Sequence, residues 1–167
     1  MVKVYLSLGS NIGDRESNIA QATMALEVEL NIFNIISSAY YTSEPLYNID
    51  QPDFINSVVS CSTSLKPFDF FDITKKIEKM LGKKKNVKKN QPRIIDIDII
   101  FFGDSIIETE ELIIPHPYFP FRKFVLVPLI EIEPNIKMPN SNILISKFLK
   151  DCPDKSNVRI HHMKSQA

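Results

Sequence analysis

Arg93-Ile94-Ile95-Asp96-Ile97-Asp98-Ile99-Ile100-Phe101-Phe102 is the stretch on which the fold turns. Apart from Arg93 and two aspartates it is all isoleucine and phenylalanine, a composition suited to a strand. Alternate residues of a strand share a face. Asp96 and Asp98 therefore point one way, about 7 Å apart at the backbone. Ile95, Ile97 and Ile99 point the other way, into a core.

Upstream, Val2–Leu8 alternates as a strand, with Val2, Val4, Leu6 and Leu8 on one face. Gly9-Ser10-Asn11 breaks it, and Asp14 caps a helix predicted over Arg15–Leu30. Ile32–Thr42 reads as a second strand, Ser43–Pro52 as a loop and Phe54–Ser64 as a third strand. Pro67 opens a helix that Gly82 stops near Leu81. Lys83–Arg93 is polar and aperiodic, so a mobile surface loop is expected. Downstream, Ile106–Ile114 suggests a small hairpin, Phe124–Leu129 a strand or short helix, and Asn142–Leu149 an amphipathic helix. Residues 153–167 read as a frayed tail. The order β-α-β-β-α-β predicts an α+β, ferredoxin-like two-layer sandwich with an antiparallel sheet and a C-terminal extension.

The chain has 167 residues, expected to form one domain (1–167). No apolar run is long enough to span a membrane. Cys61 and Cys152 form no CxxC pair, which argues against a zinc site and for a cytoplasmic protein. Four glycines are about a third of the usual share of roughly 7%. Neither GxxxxGK[ST] nor GxGxxG occurs, so nucleotide phosphates must be held some other way. The net charge of zero conceals a segregated layout. Between Lys75 and Arg93 lie nine bases and one acid, Glu78, a local +8 against −8 elsewhere.

Two like charges side by side on an apolar strand are costly unless a cation neutralises them. All-oxygen donors favour Mg²⁺ where substrate phosphates complete the shell, and such a pair can share two ions. A solvated acidic sheet face is the alternative. The depletion of Asp in strands and the apolar flanks argue against it. The basic loop runs straight into this strand. Arg93, stiffened by Pro92, is the first candidate for a bidentate phosphate contact. Taken singly, each lysine also fits a solvated loop or a nucleic-acid patch. Phe54 and Asn56 share a strand face, where a ring beside an amide suits a flat heterocycle. A core Phe beside a turn-forming Asn fits equally well. Phe124 is a second candidate ring, and His116 is fixed in direction by flanking prolines.

These residues form a set that resembles the hydroxymethyldihydropterin pyrophosphokinases of folate biosynthesis. The matching segments are L-G-S-N-I-G-D (Leu8 to Asp14), Y-x-S-E-P-L (Tyr41 to Leu46), D-Q-P-D-F-I-N (Asp50 to Asn56), I-E-K-M-L-G (Ile77 to Gly82), P-R-I-I-D-I-D-I (Pro92 to Ile99), P-H (Pro115, His116) and R-K-F-V-L-V-P-L (Arg122 to Leu129).

The resemblance implies diphosphoryl transfer from the co-substrate ATP to the hydroxymethyl oxygen of the dihydropterin. It implies Asp96 and Asp98 as ligands of two Mg²⁺ ions, and Arg93 and Lys83 as catalytic cations. Ser43, Leu46, Phe54, Asn56 and Phe124 would bind the pterin. Lys75, Glu78, Lys85, Arg93, Ile99, His116 and Arg122 would hold ATP. The implied partners are these small molecules, with no nucleic acid and no membrane, and the protein would be a monomer. Lys83-Lys84-Lys85 stands where the family usually has R-x-R, and Asn90 where it often has Trp. An RNA-recognition sheet shares the element order. It calls for an RNP1 pattern that is absent here.

Overall fold

The computed structural model describes residues 1–84 and 88–164. In chain order it runs β1 (Val2–Ser10), α1 (Arg15–Glu27), β2 (Ile32–Ser37), β3 (Tyr41–Ser43), β4 (Phe54–Thr63), α2 (Pro67–Met80), β5 (Asp96–Phe102), β6 (Ile107–Glu108), β7 (Ile113–Ile114), α3 (Lys123–Ile132), α4 (Ile145–Lys150) and β8 (Val158–Ile160). The main sheet has the order β5-β1-β4-β3-β8, with β2 also on β4, and every pairing is antiparallel. The β5-β1-β4-β3 arrangement with α1 and α2 on one face is the expected ferredoxin-like unit. β6 and β7 form the small hairpin.

The strand periodicity sorts two cores. Val4, Leu6 and Leu8 of β1 meet Ile19, Ala22 and Leu26 of α1 and Phe70 and Ile77 of α2, with Ile95, Ile97 and Ile99 on the same side. Each of the buried Val, Leu, Ile and Phe side chains among these contributes about 1.5–3 kcal/mol. The opposite face carries Tyr5, Val58 and Phe101 under Val125, Leu126 and Leu129 of α3 and Ile145 of α4. The C-terminal extension thus adds a second helical layer to the sandwich. The region 124–129 is helical, inside α3.

Three local features depart from the periodicity. α1 ends at Glu27, before Leu30, because Leu30 is exposed and has nothing to bury against. The predicted strand 32–42 is broken at 38–40, since the Ala39 N–H donates to Glu131 Oε1 of α3 (2.9 Å) and not to the ladder. In β5 the register against β1 shifts between Tyr5 and Leu6, so Ile100 and Phe101 both serve the α3 side. This is a β-bulge.

The tail corrects an expectation. Val158–Ile160 is a strand paired with Tyr41–Ser43, and the His161 N–H donates to the Tyr40 carbonyl (2.8 Å). Polar side chains there are tied to partners, so the segment is ordered to that point. Residues 165–167 lie outside the described residues, as does Lys85.

Helix α3 covers Tyr5, Val58 and Phe101 on its sheet face but leaves part of that face uncovered. The uncovered part, at the end of β1 beyond Tyr5, is the floor of a cavity.

Candidate active site

The floor is built from three neighbouring strands. Gly9 of β1 pairs with Asn56 of β4 on one side and Asp96 of β5 on the other, and Ser7 pairs with Asp98. Directly paired residues present their side chains to the same face. Asn56, Asp96 and Asp98 therefore all line one cavity of about 880 Å³, a volume typical of small-molecule sites. Gly9 keeps the middle of the floor low. A Cβ there would come within 3.0 Å of Asn56 Oδ1 and 3.8 Å of Phe54 Cδ1.

One end of the cavity is ionic. Lys83 Nζ stands 2.6 Å from Asp96 Oδ1 and 3.0 Å from Glu78 Oε2, and Arg93 donates to Asp96 Oδ2. Burial would push the Asp96 carboxyl up, but the Arg93 and Lys83 charges outweigh it and hold the group below the usual carboxylate range. Burial likewise works against the Lys83 ammonium, and Asp96 and Glu78 override it and raise its pKa. Neither carboxylate would be tolerable here alone. Glu78 is almost fully buried. It accepts the edge-strand N–H of Ile97 (2.7 Å) and holds Lys75 Nζ at 3.2 Å.

Asp98 is different. Its side chain is 37% exposed, and among the described residues its nearest basic atoms are His116 Nε2 at 3.9 Å and Arg122 NH1 at 4.0 Å. Burial lowers the His116 pKa, Asp98 pulls it up, and Arg122 and Lys75 push it down; the net direction is down.

Arg93 is aimed by an asparagine that the residue pattern did not single out. Asn11 is buried and accepts the Arg93 N–H through Oδ1 (2.8 Å). Its own N–H donates to the Arg93 carbonyl (3.2 Å), and its amide donates to Gln51 Oε1 and the Pro52 carbonyl. It joins the loop after β1, the loop before β4 and the approach to β5. Its only signal in the sequence is its place in L-G-S-N.

The other end is aromatic. Phe54, Leu46 and Phe124 line it with Asn56. The Asn56 amide donates to Ser43 Oγ (2.7 Å), which leaves its carbonyl oxygen beside Gly9. The Arg122 guanidinium lies among three rings, 5.2 Å from Tyr118, 5.8 Å from Phe124 and 5.9 Å from Tyr47. Its Nε is buried and has no acceptor among the described residues. Tyr47 and Tyr118 also went unread in the sequence.

Of the residues named from the sequence, Leu46, Phe54, Asn56, Lys83, Arg93, Asp96, Asp98, His116, Arg122 and Phe124 line this cavity. Ser43, Lys75 and Glu78 stand behind it, bonded to Asn56, Glu78 and Lys83 in the ways described. The Ile99 side chain lies on the far face, in the core beneath α1 and α2.

The donor set suits Mg²⁺ in chemistry. Asp96 and Asp98 offer only carboxylate oxygens, and among the described residues no group of three or more His, Cys, Asp or Glu could hold a metal alone. Ligand oxygens would complete the shell. Both Asp96 oxygens already accept from cations, so a metal there competes with Lys83 and Arg93.

A family model described as 7,8-dihydro-6-hydroxymethylpterin-pyrophosphokinase (HPPK) matches residues 5–134. The 2-amino-4-hydroxy-6-hydroxymethyldihydropteridine pyrophosphokinase of Bacillus subtilis is 43% identical over 128 residues, 77% of this chain and 76% of that protein. The Haemophilus influenzae protein of the same name is 34% identical over 161 residues, 96% of this chain and 99% of its own. The folic acid synthesis protein FOL1 of Dictyostelium discoideum is 39% identical over 155 residues; the chain spans only 23% of its length. A crystal structure of an HPPK-DHPS in complex with substrates superposes with a TM-score of 0.69 at 18% identity, covering 90% of this chain and 43% of that one. At that identity the likeness establishes the fold.

Proposed function

The chain belongs to the 7,8-dihydro-6-hydroxymethylpterin-pyrophosphokinase family, and from that premise we propose that it transfers diphosphate from ATP to 6-hydroxymethyl-7,8-dihydropterin in folate biosynthesis. The hydroxymethyl oxygen bonds to the β-phosphorus, the α–β bridging oxygen leaves with AMP, and the hydroxyl proton is released. The observation that carries this reading is the single cavity. Its carboxylate pair with two cations lies one glycine away from an amide and two phenylalanines.

In this reading Phe54 and Phe124 stack on the pterin. Asn56, oriented by Ser43, reads the ring's hydrogen-bonding edge, and Leu46 closes the wall. Asp96 and Asp98 would hold two Mg²⁺ ions, which would supply neutralisation and orientation of the phosphate oxygens for in-line attack. Lys83 and Arg93 act as catalytic cations. Both neutralise Asp96 here, and both are offered to the transferring phosphates once that carboxylate has another counter-charge. His116, Arg122, Lys75, Lys85 and the Ile99 region hold ATP, and Glu78 acts by fixing Lys75 and Lys83. Catalysis is mainly positioning and charge stabilisation.

One copy of the chain assembles the cavity, so the reading requires only a monomer. It also requires no nucleic acid and no membrane, and among the described residues no helix is long and apolar enough to cross one. Both cysteines are free and buried, in keeping with a reducing cytoplasm.

The test is a binding and turnover pair. The pterin should bind the protein directly, followed by its own fluorescence, and ATP should be consumed only when the pterin is present. ATP consumption independent of the pterin would contradict the reading and favour another metal-dependent nucleotide enzyme.

A further inference from the structure

We propose that residues 153–161 are a positioning strap that braces both walls of the ring-binding end of the cavity; the proposal rests on the functional reading above.

The first wall is the start of α3. The helix begins at Lys123, and its N-cap residue Arg122 makes no side-chain capping bond. The missing acceptor comes from the strap. Asp154 Oδ2 accepts the Lys123 N–H (2.9 Å), while its other oxygen accepts the Ser156 N–H (2.8 Å). Lys123 Nζ in turn donates to the Ser156 carbonyl (3.4 Å). A carboxylate at a helix N-terminus satisfies an orphan donor and complements the helix dipole. The braced residue lies between Arg122 and Phe124, the cationic and aromatic members of the wall.

The second wall, Phe54 and Asn56 of β4, is backed by β3, which the strap holds. Val158 pairs with Ser43 and Ile160 with Tyr41. His161 is held twice, by Thr42 Oγ1 on Nδ1 (3.0 Å) and by Glu16 Oε1 on Nε2 (2.6 Å). Ser43 is the residue whose hydroxyl fixes Asn56. Arg159 also reaches Asp53, the neighbour of Phe54 (3.9 Å). One short segment therefore holds Lys123, next to Phe124, and β3, whose Ser43 and Tyr41 pair with Phe54 and Asn56. The phosphate end is built differently: Lys83, Arg93 and Asp96 bond to one another, to Glu78, to Gln91 and to Asn11, all outside the strap. Loosening the strap should thus weaken ring binding selectively, because the pterin would have to re-order its walls.

The experiment compares Asp154→Ala, Asp154→Asn and His161→Ala in the full chain. Pterin affinity is followed by fluorescence, and nucleotide affinity by titration with the Mg²⁺ complex of α,β-methylene-ATP. For His161→Ala the expected result is a roughly three- to tenfold rise in the pterin dissociation constant with nucleotide affinity unchanged; for Asp154→Ala, whose hold adjoins Arg122, it is the same rise with a smaller loss of nucleotide affinity, under about threefold. Asp154→Asn keeps an acceptor oxygen and should recover most of the affinity. Equal losses for both ligands, or unchanged pterin affinity in both alanine variants, would overturn the strap. If the wild-type chain failed to bind the pterin, the functional reading would fall and the strap with it; intact wild-type binding isolates a failure of the strap alone.

Discussion

Asn56 and Asp96 are joined across the sheet through one residue, Gly9, which pairs with both. Two strand spacings, roughly 9–10 Å, separate them. Hydrogen-bonded strands do not slide, so the amide and the carboxylate are held at a fixed span. In the proposed reading that rigidity would bring the hydroxymethyl oxygen of one substrate to the β-phosphorus of the other.

Gly9→Ala tests this floor. The added methyl would sit 3.0 Å from Asn56 Oδ1. Asn56 cannot swing freely because Ser43 holds its amide. Overpacking of this kind costs about 1–3 kcal/mol. Pterin affinity should fall about tenfold, the equivalent of roughly 1.4 kcal/mol, with nucleotide affinity little changed. Fluorescence titration of both ligands checks it.

Asp98→Asn separates chemistry from folding. Asp98 is partly exposed, and among the described residues no basic side chain comes closer to it than 3.9 Å. Its loss should leave stability within about 0.5 kcal/mol. Turnover should drop at least about a hundredfold, as when a group stabilising transition-state charge is removed. A thermal melt beside a turnover assay reads both quantities.

Tyr118 and Tyr47 flank the Arg122 guanidinium. Cation–π contacts at such partly exposed sites are worth about 0.5–1 kcal/mol each. Tyr118→Ala should raise the KM for ATP about two- to fivefold. Tyr118→Phe, which keeps the ring, should behave as wild type. Steady-state kinetics of the two variants decides it.

His116 should titrate below the ordinary histidine range, because burial disfavours its charged form more than Asp98 favours it. The unfolded chain then binds more protons than the folded one, so this group's contribution to stability is present above about pH 6.5 and is lost as pH falls through the folded value. Asp98→Asn removes the carboxylate that raises the His116 pKa and should depress it further. Imidazole proton shifts followed by NMR across pH 4–8 give both titrations.

The carboxylate pair was legible in the sequence because strand periodicity is strict and the isoleucines that separate and flank the aspartates leave one reading of the faces. The caps were legible too: Asp14 accepts the Ser17 N–H, and Gly82 ends α2 with a positive φ of 102°. What escaped depends on distant partners. Ile32–Thr42 carries strand-forming residues throughout, and only Glu131 from α3 reveals the break at Ala39. The bulge at Ile100 has no compositional mark. The tail is polar and reads as solvated until the edge of β3 is present to pair with it. Asn11 acts through backbone groups of loops far along the chain.

The identity of the nucleotide product tests the central claim most directly. The protein is incubated with ATP, Mg²⁺ and 6-hydroxymethyl-7,8-dihydropterin, and the products are separated by chromatography. The account predicts AMP and pterin diphosphate in equal amounts. ADP with a pterin monophosphate, or no pterin product at all, would contradict it.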